Sequence, residues 1–274
     1  MKILIAADME GITGVVHWDH VSTSHPEYTR FRRLMTADVN AAIRGAFDGG
    51  ASEVVVTDGH SSGRNILIEE IDSRARLNVG SPQPLSMVQG VDQGVAGVLF
   101  IGYHAQIGAC CGILDHTWSD ERVACLKING RTYGETGLNA AVCGHFGVPV
   151  LMVSGDQTVC AEGCEFLGDI ETAIVKTATG RMSAELLPPA NTEQLIYNSA
   201  KLAVGRLYRN QAPKPFIVIP PIKIEISFVQ SEMADRAMVM PGAERGNDRT
   251  VSYTAQDMVT AYGAFRALLA LARG

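Results

Sequence analysis

The sequence predicts an α/β fold, a three-layer sandwich on a mostly parallel central sheet, with a smaller C-terminal α/β lobe. Three observations lead there. Apolar runs alternate with segments of helical period along the whole chain. The runs Lys2–Ala7, Val95–Tyr103 and Val148–Ser154 are nearly all apolar, as parallel strands covered on both faces are. The first two end in polar residues, Asp8-Met9-Glu10-Gly11 and Gly102-Tyr103-His104, and a third run, Glu53–Thr57, ends in Asp58-Gly59-His60. Strands that deliver acids and imidazoles at their ends are how α/β sheets build clefts.

Taken in order, strand Lys2–Ala7 is central and parallel. Residues 27–49 carry Phe31, Leu34, Met35, Val39, Ala42, Ile43 and Phe47 at intervals of three and four, a helix closed by Gly49-Gly50. Strand Glu53–Thr57 completes a βαβ unit. A polar loop, 61–65, leads to a short helix over 66–71 and a strand at 77–79. Residues 86–91 read as a helical or turn segment, and 95–103 as a strong strand. Asn129-Gly130 between 124–128 and 131–133 marks a two-residue hairpin. An Ala-rich helix (135–146), a buried strand (148–154), a helix (160–167) and a short strand (173–175) follow. Beyond Leu187-Pro188-Pro189 come a helix over 192–208, one or two strands within 216–228, a helix at 230–238, a strand at 250–253 and a helix over 255–272.

The α and β signals continue after residue 190, but the acid-and-imidazole endings stop. This divides the chain into a metal-binding catalytic domain, 1–190, and a smaller lobe, 191–274, that serves packing and assembly. Only 19% of the 274 residues are charged and 46% are hydrophobic, which leaves apolar surface for contacts between subunits. A net charge of −6 without a Lys/Arg cluster argues against a nucleic-acid partner. No apolar run is long enough to span a bilayer, and the five apolar residues between Lys2 and Asp8 are too few for a secretory segment. Six cysteines without a CxxC pair read as reduced thiols in a cytoplasmic protein.

The chemistry lies in the strand endings. Asp8 and Glu10 are two apart, so in a continuing strand both carboxylates face one side. Two buried carboxylates at that distance call for a cation, unless Asp8 merely caps the next segment and Glu10 is solvated. Asp58 and His60 repeat the spacing one βα unit later. His60 is a metal ligand, a base, or a satisfied histidine of a capping loop. Asp58 is a ligand or orients a histidine. His104 closes an apolar strand, and His116 lies twelve residues on beside Trp118, a candidate to steer a proton or stabilise an oxyanion. Glu135 opens a helix, where the dipole favours a carboxylate in any case. Histidines mixed with carboxylates suit Zn²⁺ or Mn²⁺, and more than three strong ligands suggest two ions. The residues themselves support a metal-dependent hydrolase of unspecified bond.

The segments Asp8-Met9-Glu10-Gly11-Ile12-Thr13-Gly14, Asp58-Gly59-His60-Ser61, Gly102-Tyr103-His104-Ala105 and Gly134-Glu135-Thr136-Gly137-Leu138-Asn139-Ala140 together resemble the motifs of the DppA-type D-aminopeptidases, peptidase family M55. Ser86-Met87-Val88, residues 149–156 and residues 176–183 support the match, which covers essentially the whole chain. The resemblance implies a cytoplasmic, zinc-dependent exopeptidase that releases N-terminal D-amino acids, often D-alanine, from short peptides. It implies two zinc ions per subunit, with Asp8, Glu10, His60, His104 and Glu135 as ligands and Asp8 bridging. It implies His116 as the active-site histidine; with a metal-activated water at hand, the expected role of that imidazole is to polarise the carbonyl or carry a proton. It further implies a homodecamer of two stacked pentamers enclosing the sites. The loop from Gln106 to Gly112 is one residue longer than the family pattern and carries the adjacent Cys110 and Cys111.

Four other readings stand beside this one. Hydrolysis of L-peptides or other small amides would use the same ligands. A metallophosphoesterase would draw on the same Asp/His chemistry. A peptide-binding protein would need none of these ligands, and a nucleotide-binding α/β protein would need a Gly-rich phosphate loop that does not follow the first strand.

Overall fold

The structure, a computed structural model, describes residues 1–273. Its elements are, in order, β1 (Lys2–Ala7), α1 (Tyr28–Asp48), β2 (Glu53–Asp58), β3 (Ala75–Asn78), β4 (Gly97–Ile101), β5 (Val123–Ile128), β6 (Arg131–Thr132), α2 (Glu135–His145), β7 (Val150–Asp156), α3 (Gln157–Leu167), β8 (Glu171–Gly180), β9 (Ser183–Leu186), α4 (Pro189–Tyr208), β10 (Ile222–Phe228), α5 (Ser231–Ala237), β11 (Glu244–Arg245), β12 (Thr250–Ala255) and α6 (Met258–Leu271). They form two sheets, a seven-stranded one ordered β3-β2-β1-β4-β7-β8-β9 and a five-stranded one ordered β11-β12-β10-β5-β6. The larger sheet is parallel except for β9; the smaller is antiparallel.

The alternation within β1 shows why its sequence is apolar throughout. Ile3 and Ile5 belong to one core cluster, with Phe31, Met35 and Val39 of α1 and Ile196 and Val204 of α4. Leu4 and Ala6 belong to the other, with Leu138 of α2, Val159 of α3, Ile224 and Ile226 of β10 and Phe265 of α6. Both faces of the sheet are covered, so neither parity of the strand can be polar. Helix α4 lies against α1, closely enough that a side chain on Gly45 or Gly49 would strike the α4 backbone at Tyr197 and Lys201. The second sheet draws β5 and β6 from the middle of the chain and β10–β12 from its end.

Three expectations change. Residues 66–71 form turns, not a helix: so short a segment closes only the bonds from Glu70 N and Ile71 N to Leu67 O, while Ile66 N and Leu67 N go to the Asp58 carboxylate and Thr36 Oγ1. One helical turn has little to offer against such partners. Residues 216–221 are irregular, and the strand starts at Ile222, because the Pro-rich approach removes ladder donors. The strand expected at 173–175 runs from Glu171 to Gly180 and turns back into β9, which the polar sequence of 183–186 concealed. The hairpin turn is as expected, with Asn129 and Gly130 both at positive φ (49° and 81°).

Candidate metal centre

The chain leaves β1 toward β2 and β3 on one side and returns to β4 on the other. Between β1 and β4 the strand order reverses, and the crevice at the carboxyl ends of such strands is where open α/β sheets bind ligands. Asp8 and Glu10 follow β1, His60 follows β2 and His104 follows β4. Glu135 reaches the same crevice from the first residue of α2, and His116 from the loop between β4 and β5. All six side chains are buried.

The turn after β1 is tight. Strand β1 ends at Ala7, Asp8 N donates to Ile101 O, and Gly11 N donates to Gly102 O at 2.8 Å. The common orientation of Asp8 and Glu10 therefore arises from a turn, not from the extended strand their spacing suggests. Gly11 is required there, since a Cβ would overlap the Tyr103 carbonyl oxygen.

The three histidines follow one rule. His60 Nε2 meets Val21 O at 3.1 Å, His104 Nδ1 meets Ala105 O at 3.1 Å, and His116 Nδ1 meets Leu114 O at 2.8 Å. A carbonyl accepts only, so each of these nitrogens carries the proton and the other nitrogen offers a lone pair. Those lone pairs face carboxylates. His60 Nδ1 is 3.1 Å from Glu10 Oε2 and 3.4 Å from Asp8 Oδ1. His104 Nε2 is 3.1 Å from Glu135 Oε1 and 3.5 Å from Asp8 Oδ2, and His116 Nε2 is 3.7 Å from Glu135 Oε1. Two acceptors held face to face need a cation between them, either a proton or a metal ion.

The titration behaviour shows the same demand. Burial pushes the His104 pKa down, but Glu135, Asp8 and Glu10 overcome this and raise it to about 10. Burial also opposes the charged form of His60, and Glu10 with Asp8 lifts it well above its usual value. Burial and then the Glu10 charge raise Asp8. Burial would raise Glu10 too, yet the charge and hydrogen bond of His60 hold it well below the carboxylate range. His116 goes the other way: burial, then the charge of His104 stacked at 3.9 Å, lowers its pKa and keeps the ring neutral.

The residues fit a metal. Their donor atoms form two groups lying within 4.8 Å, one of Asp8, Glu10 and His104 and one of His104, His116 and Glu135. Among the described residues, Asp8 Oδ2 and His104 Nε2 are buried without a hydrogen-bond partner, and burying a carboxylate oxygen unpaired is costly. The mix of imidazole and carboxylate donors suits zinc. His116, read from the sequence as catalytic, lies among the ligand atoms of the second group. His60 stands outside both groups but contacts both carboxylates of the first. Asp58 turns away; its oxygens take Asn65 N, Ile66 N and Asn65 Nδ2, and Asn65 in turn holds His60 O at 2.7 Å. Cys110 and Cys111 are exposed and belong to neither donor group.

Sequence reasoning passed over the residue that secures the turn after β1. Lys176 of β8 is buried and donates to Glu10 O, Ile12 O and Val15 O at 2.6, 2.9 and 2.7 Å. Burial pushes its pKa down to about 7 against the pull of Asp156, Asp38 and Glu10, but three carbonyl acceptors require three protons, so the ammonium is the form present. Its one sequence signal is a lysine standing in an otherwise uncharged stretch, Ala173–Gly180, of β8. Asp38 of α1 holds the same loop through Thr13 N and Thr13 Oγ1, both at 2.9 Å.

Residues 1–267 match the M55 peptidase family, described as D-aminopeptidase. The chain is 36% identical over 275 residues to the D-aminopeptidase of Bacillus subtilis (strain 168), covering 99% of this chain and 98% of that one. A solved structure, the Zn-dependent D-aminopeptidase DppA from Bacillus subtilis, a self-compartmentalizing protease, superposes with a TM-score of 0.95 at 36% identity, over 99% of this chain and 98% of that one. The chain belongs to peptidase family M55, the D-aminopeptidases.

Proposed function

We propose that this chain is a zinc-dependent aminopeptidase that releases N-terminal D-amino acids, D-alanine among them, from short peptides. Two zinc ions per subunit would be held by Asp8, Glu10, His60, His104 and Glu135, with His116 as the catalytic side chain. The observation that carries the reading is the set of histidine lone pairs aimed at buried carboxylates, together with the unpartnered Asp8 Oδ2 and His104 Nε2. When bound, the ions supply an acidified water and polarise the scissile carbonyl.

The residues of the chain do the rest. The neutral His116, with Nδ1–H fixed on Leu114 O, presents Nε2 as a base that can take a proton and return it to the leaving nitrogen. Once protonated, the same nitrogen donates to the developing oxyanion. Glu135 is kept in place by Trp118, whose N–H its Oε1 accepts at 2.7 Å. The peptide's free amine docks against a carboxylate of the cluster, which restricts the reaction to the N-terminal residue. In this reading residues 1–190 form the catalytic unit, which holds every candidate ligand, and 191–274 serve packing and assembly.

The assembly is a homo-oligomer, proposed as a decamer of two stacked pentamers, and the compartment is the cytoplasm. The relative's self-compartmentalizing character supports the first. Exposed Ile217, Ile219 and Val239 provide apolar surface for contacts between copies. Free cysteines suit a reducing compartment, and no helix of the described residues is long and apolar enough to cross a membrane.

The test is turnover of D-Ala-D-Ala, L-Ala-L-Ala and p-nitrophenyl phosphate by the purified protein, with zinc content measured alongside. Cleavage of the D-dipeptide by protein carrying two zinc ions per subunit, and loss of both activity and metal in His104→Ala, are expected. Turnover of the phosphate ester alone, or a fully active His104→Ala with its metal intact, would overturn the proposal.

A further inference from the structure

We infer that Arg181, in the turn between β8 and β9, is a positioning residue that sets the imidazole of His116; the inference rests on the reading of His116 as the catalytic side chain. His116 sits between two non-glycine residues in left-handed backbone, Leu114 (φ 50°) and Trp118 (φ 65°). Such conformations persist only where the surroundings enforce them. Trp118 is enforced by Glu135, whose Oε1 accepts its N–H. Leu114 is enforced by Arg181, whose carbonyl accepts Leu114 N at 2.8 Å. Leu114 O in turn accepts His116 Nδ1–H, so the backbone bond to Arg181 fixes the carbonyl that selects the tautomer of the catalytic ring.

The Arg181 side chain grips the next residue as well. Its Nε donates to Asp115 Oδ1 at 2.9 Å and its Nη2 to Asp115 O at 3.1 Å, so one planar guanidinium holds both the side chain and the backbone of the residue preceding His116. A lysine cannot reproduce that two-point fork. The other Asp115 oxygen accepts Gly108 N at 2.6 Å, which draws the Gln106–Gly112 loop to the same anchor. The guanidinium carbon lies 5.5 Å from the centroid of the Trp18 ring, which packs in a T-shaped arrangement with His116 at 5.4 Å between ring centroids. Arg181 thus reaches His116 from the backbone, through Asp115 and through Trp18. Its side-chain hydrogen bonds go to Asp115, not to the metal-centre carboxylates, so its loss should spare the metal.

The experiment compares Arg181→Lys, Arg181→Ala, Asp115→Ala and the Arg181→Ala/Asp115→Ala double variant with the zinc-loaded parent. Turnover should fall roughly 10–100-fold, the scale on which small misplacements of a reacting group act. KM should stay within about twofold, because transition-state contacts are lost and ground-state binding is kept. Zinc should remain at two per subunit. The losses from Arg181→Ala and Asp115→Ala should be strongly non-additive, as expected of a shared anchor. Added guanidinium ion should partly restore Arg181→Ala and leave His116→Ala unrestored. If Arg181→Ala does not fold, Arg181→Lys carries the test. Unchanged kcat in both Arg181 variants, a loss confined to KM, additive losses or departure of zinc would each overturn the inference. An inactive His116→Ala beside a fully active Arg181→Ala would remove the inference alone, whereas a fully active His116→Ala would remove the role of His116 itself.

Discussion

Replacing Lys176 by Met keeps an unbranched apolar stem, one heavy atom shorter, and removes its charge and donors. In the parent, three buried carbonyls, Glu10 O, Ile12 O and Val15 O, converge on Nζ. The methionine leaves Glu10 O and Val15 O without the donor they had and Ile12 O with only Val15 N–H at 3.2 Å, and each unsatisfied group costs about 1–3 kcal/mol. Against this, the variant no longer buries an ammonium, which offsets several kcal/mol. Removing one side of a buried charged contact ordinarily nets about 3–5 kcal/mol of destabilisation. For a chain of this size that lowers the melting temperature by on the order of 10 °C. The loop concerned also carries Glu10, so zinc affinity should drop as the carboxylate loses its fixed frame, by about 10–100-fold, the usual effect of removing a supporting partner. Differential scanning calorimetry of the metal-free protein and competitive zinc titration read the two quantities separately. A variant that melts within a degree of the parent and binds zinc equally well would show that the three contacts do not organise the turn.

Other substitutions probe the surroundings. Burial raises the Glu162 carboxyl from 4.5 to about 7, although Gln106 N hydrogen-bonds it. Between those values the native state binds more protons than the unfolded state, so this group's contribution falls as pH rises, by up to about 3 kcal/mol. Glu162→Gln should therefore be stabilising at pH 8 and lose its advantage near pH 4, and equal denaturation midpoints at both would refute the assignment. Asp58→Asn keeps one carbonyl oxygen for Asn65 N and Ile66 N but sets its amide NH2 against Asn65 Nδ2, also a donor, and should loosen the His60 loop and weaken zinc binding about 10–100-fold, read by the same titration. Gly11→Ala should misplace Asp8 and Glu10 by driving a methyl into the Tyr103 carbonyl, giving low zinc content in whatever protein is soluble; full zinc occupancy would contradict the close packing there.

Sequence periodicity and the strand endings determined much about this protein. The continuous apolar runs and the helix over 27–49 announced a covered parallel sheet, because burial on both faces leaves no polar parity to hide the signal. The histidines and carboxylates at strand ends marked the cleft, and the order of their motifs pointed to the family. What lay out of reach was everything set by partners far along the chain. Residues 66–71 looked helical, but side chains of Asp58 and Thr36 hold Ile66 N and Leu67 N in a turn, and 171–186 hid a β-hairpin whose first strand is aligned by its parallel pairing with β7. Asp58, with the same local signature as a ligand, faces its own loop. Lys176 stands in β8, more than 160 residues from the turn it clamps, and Arg181 meets Asp115 across the fold. A local pattern tells which residues can be buried and which can ligate. Which lone pair of each histidine faces the carboxylates, and which cation holds their loops, depends on atoms that only the tertiary fold brings within hydrogen-bonding distance.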